Sequence, residues 1–166
     1  MIKKTTADTW FSKCIRERTN WTCEYCDVNY GDNKGSLHCS HYQGRATLSV
    51  RYNIYNAFAH CYKCHSILGG DRFRSGSPAE FTHHYDSVFG DEHREIVRQL
   101  SQQQFRKHKM HIPLIGKHYR LEFRRMESLR ADGETGRIEF SQYMGDQDIC
   151  DSEAEIWKSL KDKYDK

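Results

Sequence analysis

The chain has 166 residues, 37% hydrophobic and 30% charged, with a mean hydropathy of −0.91, a size for one domain or a domain with appendages and a thin core that a metal staple would help to hold. No run of about 18 apolar residues occurs, which argues against a membrane span, and the lysines near the start have no apolar stretch behind them, so no secretory signal is expected. The net charge of +3 hides an uneven spread: six Lys/Arg against one acid over 34–74, eight against two over 105–131, and ten acids against five bases over 132–166.

In chain order, Thr6 or Asp8 caps a predicted helix to about residue 18 that buries Trp10, Phe11, Cys14 and Ile15 and braces the cysteine-bearing segment beyond it. Next come Cys23-Glu-Tyr-Cys26, a turn-rich loop over 27–36, and a strand over 37–42 in which Leu37, Cys39 and His41 alternate. A second strand is predicted around 49–55. Cys61-Tyr-Lys-Cys64 then opens a helix that includes His65 and ends near Gly69-Gly70. After a loop over 70–78, Phe81, Tyr85 and Val88 predict a helix from 78 or 79 to 88, and Ile96, Val97, Leu100 and Phe105 another over 92–107. Pro113 separates a carboxyl-terminal segment with a helix over 118–130, a turn over 131–136, a strand over 137–143 and a last helix over 152–164 capped by Ser152. The organisation is thus an N-terminal helix at 1–20, a core at 21–75, a helical extension packed on it at 76–110, and a basic then acidic extension at 111–166.

Two Cys-x-x-Cys pairs with 34 residues between them are a metal signal, because each tight turn aims two thiolates at one point and two turns complete a tetrahedron. The reading is a structural Zn2+ on Cys23, Cys26, Cys61 and Cys64, with no open position; two redox-active dithiols, or thiols that merely lie close in sequence, are the alternatives. Cys14, Cys39 and Cys150 are scattered, which suits a reducing compartment, and cytoplasm is inferred; Cys39 alone of these stands where it could approach the zinc. Clustered bases form the footprint of a phosphate backbone, while over 105–131 a solvated helix face explains them equally well. His83, His84 and His93 receive no role, as a histidine pair without a cysteine at ligand spacing reads as an exposed helix face.

His41, Asn56 and His65, the last directly after the second cysteine pair, resemble the HNH, or His-Me finger, endonucleases, whose core is a β-hairpin followed by a helix. The chain is also similar to the phage NinG, or Rap, family of recombination endonucleases through Cys23 to Cys26, Cys39-Ser-His-Tyr-Gln-Gly-Arg45, Val50-Arg-Tyr52 and Asn56-Ala-Phe-Ala-His-Cys-Tyr-Lys-Cys64. Weaker echoes come at Leu68-Gly-Gly70, Tyr85, Gly90 and Val97-Arg-Gln-Leu100, so the likeness covers roughly residues 20–100. Two departures stand out: His65 where that family carries asparagine, and His60 where it carries glutamine.

The resemblance implies an α+β fold, a zinc-stapled ββα-metal (HNH, or His-Me finger) core with flanking helices. It implies a metal-dependent DNA endonuclease acting on branched recombination intermediates such as Holliday junctions or displacement loops, in the host cytoplasm if phage-encoded. His41 would be the general base, Asn56 would orient that imidazole or the loop carrying it, and His65 would hold one Mg2+ or Mn2+ as Lewis acid against the scissile phosphate. Many HNH enzymes place a second ligand, often aspartate, just before the base; here that residue is Ser40, leaving water, His38, His60 or Asp71 to complete the coordination. Arg45, Arg51, Lys63, Arg72 and Arg74 surround this chemistry as DNA contacts, and a symmetric junction would invite a homodimer. The rival reading is a zinc-stabilised nucleic-acid-binding module without cleavage, in which His41 and His65 are structural or bind phosphate.

Overall fold

Thr5, rather than Thr6 or Asp8, starts the first helix. In the computed structural model, which describes residues 2–69, 76–103 and 108–143, α1 (Thr6–Arg18) opens with a capping box: the Thr5 hydroxyl accepts from the Asp8 N–H and the Asp8 carboxylate accepts from the Thr5 N–H. Asp71, Arg72, Arg74, Cys150 and the helix expected over 152–164 lie outside the described residues.

The centre of the fold is a two-stranded antiparallel sheet, β1 (Leu37–His41) and β2 (Ala57–Cys61), paired from Leu37↔Cys61 to His41↔Ala57 and continued without a break by α2 (Tyr62–Gly69). This is a ββα motif in a small α+β domain. The second strand begins later than the expected 49–55, a segment that is built from turns and a short 3-10 helix at Ile54–Asn56. Every residue from Val50 to Ile54 is buried there, the polar Arg51 and Asn53 included. The backbone carbonyls are nevertheless taken by side chains: Val50 by Asn56, Arg51 by His41, Tyr52 by Tyr119 and Ile54 by Arg18. With its acceptors satisfied in this way, the segment has no need of a strand partner.

α1 buries Phe11, Cys14 and Ile15 against Ile115, Tyr119, Phe123 and Met126 of α5 (His108–Ala131), two apolar stripes at helical spacing. α5 runs through Pro113 instead of starting after it. The proline falls early in the helix, where it forfeits one intrahelical bond while contacts with α1 carry the backbone across. Gly133, at φ +97°, ends the helix, with the Gly133 and Glu134 N–H groups turning back on the Arg130 and Leu129 carbonyls. No strand forms over 137–143: the Ile138 N–H donates to the Arg18 carbonyl, and buried Ile138 and Phe140 anchor an irregular segment. α3 (Pro78–Phe89), capped by Ser77, and α4 (Asp91–Ser101) extend the core through Phe81, Tyr85, Ile96, Val97 and Leu100. No helix of the described residues is long and apolar enough to cross a membrane.

One buried ion pair ties the segment after β1 to the start of α1. The Arg51 guanidinium donates to both Asp8 oxygens, at 2.8 and 2.6 Å, with side chains only 5% and 6% exposed. Burial alone would raise the Asp8 carboxyl, but hydrogen bonds from Arg51 and Thr5 hold it below the ordinary carboxylate range. Asp8→Ala strands a buried guanidinium and is expected to cost about 3–5 kcal/mol in urea denaturation at pH 7; an unchanged midpoint would remove the pair from the stability account. Because the folded pKa lies below the unfolded value of about 3.9, the contribution is present above that value and is lost as pH falls through the folded one. The wild-type and variant midpoints therefore converge in acid.

Candidate metal centre and adjoining cleft

Cys23 and Cys26 lie on the turn after α1, Cys61 ends β2, and Cys64 falls in the first turn of α2. The four sulfurs all lie within 4.8 Å of one another, with Cys26 and Cys61 at 4.0 Å. Ligands about 2.3 Å from a tetrahedral zinc stand roughly 3.8 Å apart, so these residues fit one ion. They converge as a single set of four, not as two separate dithiols.

Glu24, inside the first pair, joins the two turns. Its N–H donates to the Ala59 carbonyl at 2.8 Å, and its carboxylate accepts from the Ala59 N–H at 2.6 Å. The same carboxylate takes Arg18 and Arg137. Asp27 adopts φ +57° and returns its N–H to the Cys23 carbonyl, the tight turn that aims both thiols inward. Burial and the neighbouring sulfurs push the Cys64 thiol up. Burial also opposes ionisation of Cys61, yet hydrogen bonds from the Cys64 backbone and the Tyr30 hydroxyl bring it down to about 7. Crowded thiols of this kind, all buried but Cys26, are what a bound cation deprotonates. Cys39 stands outside the set, its thiol pushed up to about 12 by burial.

Along the edge of β1 that β2 leaves unpaired runs a cleft of about 540 Å³ between α1 and α2, lined among others by Lys4, Arg16, His38, His41, Arg45 and His65. His41 and His65, far apart in sequence, thus share one cleft. The His41 Nε2 lies 3.0 Å from the Arg51 carbonyl; since a carbonyl only accepts, Nε2 carries the proton and Nδ1 is left as the acceptor. Burial pushes His41 down to about 4, against the opposing pull of the Arg51 carbonyl, so the ring is neutral at pH 7.

Asn56, fully buried, accepts from the Gln43 N–H and donates to the Gln43 and Val50 carbonyls. It closes the loop that leads to Arg51, and so sets the carbonyl that His41 meets. His65 is half-buried, with its ring 5.8 Å from that of His38, centroid to centroid. Burial lowers both imidazoles, with Arg16 adding to the effect at His38 and His38 at His65.

Several expected site residues stand elsewhere. Arg51 was expected on DNA, but its guanidinium is committed to Asp8 inside the protein, and only its backbone serves the cleft. Ser40 is fully buried opposite Phe58 and does not line the cleft. His60 is also fully buried, its Nε2 3.1 Å from Nε2 of His84. His84 is therefore a core residue and not part of an exposed face, while its neighbour His83 is exposed. Arg45 lines the cleft and Lys63 is exposed on α2. Lys4 and Arg16 had not been assigned to a site. Lys4 stands just before α1 and Arg16 within it, and neither carries a sequence signal beyond its charge.

No protein-family model, curated protein or solved structure matches this chain. Its likeness to a His-Me-finger scaffold in general rests on the ββα motif beside the four-cysteine cluster.

Metal analysis of the purified protein is expected to find about one zinc per chain. Cys23→Ser, Cys64→Ser or a strong chelator should each lower the melting temperature, because binding energy in such a site is folding energy. A metal-free protein that melts unchanged would rule the centre out.

Proposed function

We propose that the cleft binds a nucleic-acid backbone and that His41 cleaves it there, making the chain a metal-dependent DNA endonuclease of the His-Me finger type. Binding is the better supported half. Lys4, Arg16 and Arg45 line the cleft, Lys63 is exposed beyond it, and Asp8, the one carboxylate among the described residues of the lining, is neutralised by Arg51. Such a surface suits phosphate oxygens. The NinG likeness supplies the substrate class, branched recombination intermediates, and a junction with twofold symmetry would suit two copies of the chain.

The observation that carries cleavage is the hydrogen bond from His41 Nε2 to the Arg51 carbonyl. It leaves Nδ1 of a neutral ring able to take the proton of an attacking water. Asn56 holds the loop that keeps the carbonyl in place, and Arg16 and Arg45 would hold the phosphate oxygens. A divalent ion at His65 would act as Lewis acid toward the departing oxygen. A binding module without cleavage is the second reading. It is favoured by the absence, among the described residues of the lining, of any carboxylate free to hold such an ion.

Labelled four-way junction, linear duplex and single strand, each with Mg2+, Mn2+ or EDTA, separate the two. Metal-dependent cutting of the junction is expected, and His41→Ala should reduce it by about 10²–10⁴-fold while binding and zinc content persist; undiminished cutting would remove the base assignment. Since His41 titrates near 4, its basic form prevails above that pH, facing Arg45 and the Asp8–Arg51 pair. The cleavage rate should hold through pH 6.5 and decline only as pH falls toward 4.

A salt series tests the binding half independently. Arg45→Gln and Lys63→Gln should each flatten the plot of log K against log salt by about 0.9 for duplex DNA. Unchanged slopes would place the backbone on another surface.

A further inference from the structure

We infer that His38 and His65 form a two-imidazole site for a divalent transition ion, one that takes Ni2+ or Co2+ in preference to Mg2+. The inference rests on the proposed reading of this cleft as the place where an ion meets phosphate, and it names the missing second ligand as a residue three positions before the base.

Both rings line the cleft, 5.8 Å apart between centroids and inclined at 83°. A metal–nitrogen bond of about 2.0–2.1 Å puts an ion roughly 3.2 Å from a ring centroid, so two imidazoles can share an ion at separations up to about 6.4 Å. Neither ring has a hydrogen-bond partner among the described residues; their aromatic neighbours are each other and, for His38, the Tyr62 ring at 6.1 Å. Both nitrogens of each ring are therefore uncommitted, whereas His41 and His60 each have Nε2 engaged.

The placement is also fixed from both sides. His38 sits within the sheet register opposite His60, and His65 directly follows Cys64, so a zinc in the four-sulfur set would pin the helix turn that carries it. Gly69 leaves the His65 ring its space: a Cβ there would come within 3.3 Å of Cδ2.

The donor set decides the metal. Mg2+ demands oxygen ligands and gives up water reluctantly. Imidazole nitrogens favour ions toward the nickel end of the first-row series. Asp8 is held by Arg51 and Ser40 is buried away from the cleft, so the described residues offer nitrogen where a magnesium site would offer carboxylate.

The test is calorimetric titration of the zinc-loaded protein with Ni2+, with zinc content measured before and after. One Ni2+ per chain beyond the zinc is expected, surviving a tenfold excess of Mg2+. His38→Ala and His65→Ala should each weaken it by at least the roughly 10–100-fold that loss of a ligand's orienting partner costs, whereas His83→Ala, outside the cleft, should not. His38→Gln, judged by retained zinc and an unchanged circular dichroism spectrum, guards against a folding defect. No Ni2+ beyond the zinc, displacement by Mg2+, or binding indifferent to both histidines would overturn the site. Ni2+ held through both rings without junction cutting leaves the site standing and removes hydrolysis. Mg2+-driven cutting that His38→Ala leaves intact, in a protein without this Ni2+ site, does the reverse.

Discussion

Four sulfurs within 4.8 Å of one another offer one ion a grip on parts of the chain that are far apart in sequence. The turn after α1 and the junction of β2 with α2 are separated by 34 residues, and the sheet between them has only two strands, a unit that is marginal alone in water. Glu24 adds a direct link, bonding to the Ala59 backbone through its own N–H and its carboxylate. The carboxylate lies beside the buried Arg18, whose guanidinium also reaches the Ile54 and Ala57 carbonyls. The knuckle, the helix end and the entry to β2 thus share one polar network, and a metal at its edge would stabilise all three together.

The helical brace depends on a different force. α1 and α5 meet through Phe11, Cys14, Ile15, Tyr119 and Met126, all fully buried or nearly so, and this contact holds α1 across the face of the sheet. α1 consequently serves the core with one stripe and the cleft with another, since Arg16 and Asp8 both reach the cleft wall. A helix that the sequence marks only as amphipathic becomes one side of the candidate site.

What was legible in the residues was what is local. The cysteine pairs announce themselves because ligand spacing on a tight turn is a short-range property, and the helix after the second pair arises from its own residues. β2 was misplaced because Ala57–Cys61 is buried at every position, which erases the alternation that marks a strand, while the segment before it, equally buried over 50–54, is held in turns by side chains of other elements. Arg51 read as a surface cation because its partner, Asp8, lies 43 residues away and itself read as a helix cap. His84 looked exposed for the same reason: the ring that meets it, His60, belongs to another element. Charge and polarity in the sequence say that a group needs a partner, and only the fold says which.

Arg51 shows how closely stability and the cleft are joined. Its side chain satisfies Asp8, and with it the start of α1; its backbone carbonyl accepts from His41 and so selects the tautomer of that ring. Asn56 fixes the same stretch from the other end through Gln43 and Val50. Burial meanwhile keeps the imidazole neutral, a state that the nearby Arg45 reinforces. The cations that suit a phosphate also disfavour the imidazolium, so attraction for the backbone and a free Nδ1 are compatible demands on one small cleft.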